Sequence, residues 1–134
     1  MVHVRQAVLD DVASHAREEA PFECCGLLVA SAGVIVESVR MRNLERSRTR
    51  YLIDPAQHIE TNRRLRGTGR SVAGAYHSHP KSAPIPSPTD QAQAFQDFVF
   101  LIVGRSDRLP RPFMVRAWRL RSGNFAEVPL VSVP

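Results

Sequence analysis

The stretch Gly74-Ala75-Tyr76-His77-Ser78-His79-Pro80-Lys81-Ser82-Ala83-Pro84-Ile85-Pro86-Ser87-Pro88-Thr89-Asp90 decides how the rest of the chain is read. Its first part reads as the end of a buried strand, because Val72, Ala73, Ala75 and Tyr76 are small, apolar or aromatic and a Gly/Arg-rich turn precedes them. Side chains alternate across a strand, so His77 and His79 point to the same side. Pro80, Pro84, Pro86 and Pro88 then stiffen a loop that has little freedom to be helical or to join a sheet. The loop ends on a helix start, with Ser87 at the N-cap, Pro88 at the first helical position and Asp90 at the third. Two imidazoles on a strand end, followed by a carboxylate at a helix start, make a candidate three-ligand site for a divalent metal. That is the ligand number of a catalytic zinc, which keeps its fourth position for water. On chemistry alone a second reading stands beside it. Single histidines are commonly solvated or hydrogen-bonded side chains, helix capping is a sufficient reason for Ser87 to Asp90, and short motifs match by chance.

Upstream, Val8, Leu9, Val12, Ala13 and Ala16 recur at helical spacing with Asp10, Asp11, Arg17, Glu18 and Glu19 opposite, which predicts an amphipathic helix over 7–19 that Pro21 ends. The apolar runs 26–30 and 34–39 around Ser31-Ala32-Gly33 predict a hairpin, with Glu23 at the start of its first strand. Residues 40–50 read as a basic loop leading into a short strand over 51–53. Asp54 then caps a second helix that Pro55 opens, that has an apolar side at Ile59 and Leu65, and that runs until Gly67. His58 in this helix has no metal-type partner at a useful spacing and reads as surface. Downstream, a short helix is expected from Pro88 to about Phe95. The run 98–103 is almost continuously apolar and reads as a central strand buried on both faces. Residues 113–121 alternate like an edge-type strand, and Gly123-Asn124 turns them into a last strand over 125–131. There is no internal repeat and no low-complexity segment. Mixed helices and strands imply a layered α/β domain.

Pro21-Phe22-Glu23-Cys24-Cys25-Gly26-Leu27-Leu28 adds a second motif. Together the two stretches resemble the JAMM (MPN-plus) metalloproteases. His77, His79, Ser87 and Asp90 fall on the four fixed positions of the H-x-H-x7-S-x-x-D signature, and Glu23 on the upstream glutamate, commonly set in P-x-E-x-C-G-L. Weaker similarity to the compact bacterial members runs through Asn43, Tyr51-Leu52-Ile53-Asp54-Pro55 and Arg116-Ala117-Trp118. The resemblance implies one domain over residues 1–134, a mixed β-sheet flanked by helices in the cytidine-deaminase-like fold. It implies one zinc per chain on His77, His79 and Asp90, with Glu23 as general base and acid and Ser87 donating to the carbonyl oxygen as it becomes an oxyanion. The implied substrate is the peptide or isopeptide bond after the C-terminal tail of a ubiquitin-like protein. With little room for the insertions that bind polyubiquitin in eukaryotic members, a small β-grasp sulfur carrier ending in Gly-Gly is the expected partner. The alternatives are a non-catalytic MPN-type interaction module, against which the intact residue set argues, and a nucleic-acid-associated JAMM-like domain. A zinc deaminase is rejected, because it requires a Cys-x-x-Cys pair and a Glu following the ligand His.

Composition narrows the remaining classes. A chain of 134 residues suits one domain with a core that needs no disulfide or structural metal. The net charge is +5, and of the 18 basic residues only Lys81 is a lysine. The arginines are scattered without one long tract and aromatic residues make up only 7%, so a solubilising surface is expected and no specific nucleic acid. Cys24 and Cys25 are adjacent, a spacing that disfavours a mutual bridge. No apolar run is long enough to span a bilayer and the first residues lack an apolar signal core, so a cytoplasmic protein without membrane contact is expected. Oligomeric state and physiological metal are not encoded legibly.

Overall fold

A computed structural model describes residues 1–92, 98–106 and 113–134. The elements in chain order are β1 (Val2–Arg5), α1 (Gln6–Glu19), β2 (Cys25–Ser31), β3 (Val34–Met41), α2 (Pro55–Leu65), β4 (Ser71–Ser78), α3 (Pro88–Ala92), β5 (Val99–Arg105), β6 (Phe113–Arg121), β7 (Asn124–Val128) and β8 (Leu130–Val133). The strands form one mixed sheet in the order β7-β6-β5-β4-β2-β3-β1-β8. Pairs β1/β3, β1/β8 and β4/β5 are parallel and the rest are antiparallel.

Strands β7 and β8 stand at opposite ends of that order, yet only Pro129 separates them in the chain. The sheet must therefore roll until its two margins meet, and Pro129 itself accepts a hydrogen bond from the Val2 amide at 2.8 Å. Helix α1 lies inside the curve, touching β1, β3, β4, β5 and β6. Its Val8, Val12 and Ala16 pack with Val4, Leu28, Tyr76, Leu101 and Val103. The alternate residues of the same strands, Cys25, Leu27, Ala75, Phe100, Ile102 and Trp118, form a second cluster with Tyr51 on the outer face. Strands buried on both faces read as continuous apolar runs rather than alternating ones, and the Val99–Val103 segment of β5 is buried throughout.

The expected first helix, hairpin and second helix are present, and Asp54 does cap α2 by accepting from the Ala56 amide at 2.9 Å. Other expectations need correction. The short strand over 51–53 is a single bridge, Asn43 to Ile53. Ile59 is 60% exposed, and it is Thr61 and Leu65 that α2 buries. Strand β6 is not an edge, since β5 and β7 flank it. The single last strand is two, because Pro129 has no amide to continue the ladder and the chain passes there from β6 to β1. Strand β1 carried no signal in its four residues. The expected end of α3 near Phe95 lies outside the described residues.

Candidate metal centre

The sheet register brings the two motifs together. Strands β2 and β4 are antiparallel with Cys25 opposite His77, and the ladder continues one step further where the Ser78 amide donates to the Cys24 carbonyl at 3.1 Å. Continuing the same register sets Glu23 opposite His79, so residues far apart in sequence share one end of the sheet. The Ser78 hydroxyl accepts from the Cys24 amide at 2.8 Å and locks this end. Close packing behind the site requires Gly26, where a Cβ would overlap the Tyr76 ring.

His77 Nε2, His79 Nε2 and Asp90 Oδ2 form a nearly equilateral triangle with sides of 3.2, 3.1 and 3.1 Å. A tetrahedral ion with ligands at about 2.0–2.1 Å has ligand-to-ligand separations of about 3.3 Å, so this triangle fits one small divalent cation. Among the described residues these three form the group that could hold a metal ion, and all three are buried. His79 Nδ1 donates to the Ala83 carbonyl at 2.9 Å, which leaves the lone pair on Nε2, facing the centre. His77 is oriented differently. Its Nδ1 finds no hydrogen-bond partner among the described residues, and its ring is held by stacking on Tyr51 with centroids 4.4 Å apart.

Asp90 is fixed by the expected helix start. Its Oδ2 accepts from the Ser87 amide at 2.9 Å, while its own amide donates to Ser87 Oγ at 3.1 Å, a reciprocal capping box. The Pro-rich loop before it is tied by three consecutive carbonyls: Ser82 accepts from the Arg105 amide, Ala83 from His79, and Pro84 from Trp118 Nε1. Gly104 allows this approach, since a Cβ there would collide with the backbone of Ala83 and Pro84.

Glu23 sits beside the triangle, 4% exposed, with Oε1 unpartnered among the described residues. Its backbone is clamped on both sides: the amide donates to the Ser47 carbonyl at 2.8 Å and the carbonyl accepts from Asn43 Nδ2 at 3.1 Å. Asn43 also binds the Arg50 carbonyl and the amides of Glu45 and Leu52, which makes it the knot of the 43–52 loop. The residue readings alone gave Asn43 and Tyr51 no role; family similarity was the one signal that pointed to them.

The electrostatics separate the two carboxylates. Burial pushes Glu23 up to about 8, with His79 pulling it down and Asp90 pushing it further up. Burial also acts against Asp90, but the hydrogen bonds from His77 and His79 outweigh it and hold that carboxyl far below the usual range. Burial lowers His77, whereas for His79 the Asp90 contact and the Ala83 carbonyl overcome burial and raise it. A proton on His79 and a cation in the triangle are alternatives, because each neutralises Asp90. A cation held there would compete with that proton for the His79 Nε2 lone pair.

Cys24 and Cys25 are free and buried, their thiols pushed up to about 12 by burial, so neither serves as a ligand or nucleophile. His58 is not plain surface. It is half-buried and lines an apolar cavity of about 420 Å³ with Leu27, Tyr51, Ala75, Phe98 and Phe100. A second cavity, of about 600 Å³, opens onto the candidate centre and is lined by Glu23, His79, Ser87, Pro21, Arg48 and Lys81, among others. No helix among the described residues is long and apolar enough to cross a membrane.

Residues 5–121 match the family described as prokaryotic homologs of the JAB domain. The chain is 33% identical over 108 residues to the Desampylase of Haloferax volcanii, covering 75% of this chain and 78% of that protein. It is 28% identical over 130 residues to the CysO-cysteine peptidase of Mycobacterium tuberculosis, with coverages of 95% and 88%. To the probable TtuB-protein conjugate cleaving protease of Thermus thermophilus it is 32% identical over 132 residues, with coverages of 98% and 82%. The fold is that of a solved Desulfitobacterium hafniense protein, at a TM-score of 0.85, 23% identity and coverages of 99% and 93%. It is also that of a JAB1/MPN domain protein from Archaeoglobus fulgidus, at a TM-score of 0.65, 22% identity and full coverage of both chains.

Proposed function

The chain belongs to the family of prokaryotic homologs of the JAB domain, and from that premise we propose that it is a zinc-dependent peptidase or isopeptidase. Its substrate is the bond after the C-terminal tail of a small ubiquitin-like protein of the sulfur-carrier kind. The observation that carries this reading is the triangle of His77, His79 and Asp90 with buried Glu23 beside it, whose Oε1 has no hydrogen-bond partner among the described residues. Relatives named as a CysO-cysteine peptidase and as a probable TtuB-protein conjugate cleaving protease support the substrate class. Residues 1–134 act as one such domain. We place the protein in the cytoplasm, a reducing compartment in which its two buried free thiols are stable.

His77, His79 and Asp90 would hold one zinc per chain, which supplies a Lewis acid able to lower the pKa of water to about 7. Glu23 takes the proton of the attacking water through its unpartnered oxygen. The water oxygen bonds to the carbonyl carbon, the C–N bond breaks, and Glu23 returns the proton to the departing amine. A carboxylate that burial has already raised towards neutrality holds a proton near neutral pH and returns it readily to the departing amine. Ser87 Oγ accepts from the Asp90 amide, so its hydroxyl proton remains to be donated to the carbonyl oxygen as charge develops there, worth about 3 kcal/mol in comparable sites. The approach lies between the Pro21 and Pro80–Ser87 walls, and residues without a Cβ pass such a slot most easily.

The test is to load the protein with zinc, incubate it with β-grasp carriers ending in Gly-Gly-Cys and in Ala-Leu-Cys, and follow mass loss. Cleavage confined to the glycine tail supports the reading. Equal cleavage of both, or rapid cutting of unstructured peptides with neither carrier touched, overturns it.

A further inference from the structure

Two cations stand at the mouth of the catalytic cavity, and the mechanism above does not use them. Arg48 and Lys81 both line it, both are exposed, and among the described residues neither has a hydrogen-bond, ion-pair or aromatic partner. Arg40, Arg42, Arg63, Arg64, Arg70 and Arg116 pair with carboxylates and Arg46 lies over the Phe22 ring, and what sets Arg48 and Lys81 apart from the remaining arginines is their place in the lining of this cavity. Lys81 is moreover the single lysine of the chain.

The backbones that carry these two side chains are not loose. Arg48 directly follows Ser47, whose carbonyl takes the Glu23 amide. Lys81 lies between His79, whose amide donates to the Val103 carbonyl at 2.7 Å, and Ser82, whose carbonyl takes the Arg105 amide at 2.7 Å. Each cation thus hangs from a fixed frame with no ion-pair partner among the described residues, one on the Glu23 side of the cavity and one on the His79 side.

Direction across the scissile bond follows from the roles above. Ser87 addresses the carbonyl oxygen and Glu23 delivers the proton to the amine, so the departing residue lies on the Glu23 side, where Arg48 is attached. We propose that Arg48 and Lys81 bind the α-carboxylate of the departing residue, making this site selective for release of a single C-terminal amino acid. The inference rests on the peptidase reading and adds the identity of the leaving group. A carboxylate one Cα away from the departing amine stays within the same cavity. Each further residue carries it up to about 3.5 Å outward, past the reach of both side chains within two or three residues. An isopeptide leaving group, a lysine side chain inside a protein, brings no carboxylate to this place.

Three carrier substrates decide the matter, alike except for the departing group: one residue with a free carboxylate, the same residue as its amide, and a three-residue tail. The zinc-loaded protein is expected to cleave the free acid about tenfold better in kcat/KM than the amide or the longer tail, mostly through KM, with the preference fading at high salt. In the Arg48→Ala/Lys81→Ala double variant the acid-to-amide ratio should fall to near one. A ratio near one in the parent protein, or a ratio that survives in the double variant, overturns the proposal. Binding gives an independent readout. Gly-Gly-Cys tripeptide acid and amide are titrated by NMR into Glu23→Gln protein with and without the two alanine changes. Preference for the acid that the changes remove supports the carboxylate site even if no carrier is ever cleaved, a result that would sink the peptidase reading alone. Equal binding of acid and amide sinks the carboxylate site and leaves that reading standing.

Discussion

The two carboxylates at the end of the sheet arrive by opposite routes. Asp90, at the head of α3, has its oxygen held by the Ser87 amide and by both imidazoles, and those contacts keep it ionised. Glu23, just before β2, is fixed through its backbone, and its Oε1 has no hydrogen-bond partner among the described residues. Both are buried, so burial does not distinguish them; partners do. A saturated carboxylate is built to keep a cation, whereas an unsaturated one can take up a proton and release it.

Removing the saturated side is the severest way to break that contrast. His77→Ala or Asp90→Ala should lower zinc content from one per chain to a small fraction and activity by about 10⁴-fold or more, measured by metal analysis and carrier cleavage on the same samples. Full zinc occupancy in either variant would remove the site as drawn. Changing the unsaturated side tests the other half. Glu23→Gln should keep the zinc and lose about 10³-fold in kcat, because an amide accepts no proton; unchanged turnover would assign the base elsewhere. Ser87→Ala touches both carboxylates' neighbourhood. It should cost about 10²-fold in kcat, and about 1 kcal/mol of stability from the lost cap.

The smallest effect sharpens the comparison without any metal. Glu23 has a native pKa of about 8 against 4.5 for the free side chain. As pH rises through that window the unfolded chain gives up its proton first, so the native state loses stability from about 4.5 up to about 8 and no further. Gln at this position does not titrate. Metal-free Glu23→Gln protein should therefore be more stable than the parent by up to about 4 kcal/mol at pH 8, with little advantage at pH 4. Denaturant melts at the two pH values measure this, and a pH-independent difference would contradict the assigned burial cost.

The site was legible where its logic is local. The spacing of His77 and His79 fixes a shared face in any strand, and Ser87 to Asp90 is a cap that the sequence spells out. Glu23 became visible only through family resemblance, because what places it is the β2/β4 register, a property of two distant segments. Tyr51 escaped for the same reason, since stacking on His77 leaves no trace in its own neighbourhood. In the fold, the errors fall on the margins of the sheet. Four residues are too few for β1 to show a period, and the run 125–131 looks continuous because Pro129 is a slight interruption in sequence and a change of partner in space. Ile59 misled because the helical pattern around it is weak and its apolar side chain faces out.

The joint at Pro129 also sets an order of events during synthesis. Strand β1 precedes all the other strands of the sheet and its outer neighbour β8 follows them, so His3 waits for Val131 to exist before that ladder can close. Until then a nascent chain carries an open strand edge, which invites association with other chains. Long sequence separation between the partners slows closure further. For this protein β8 acts as the latch of the whole curl, and a chain lacking Leu130–Val133 would hold its candidate site but could not shut its own sheet.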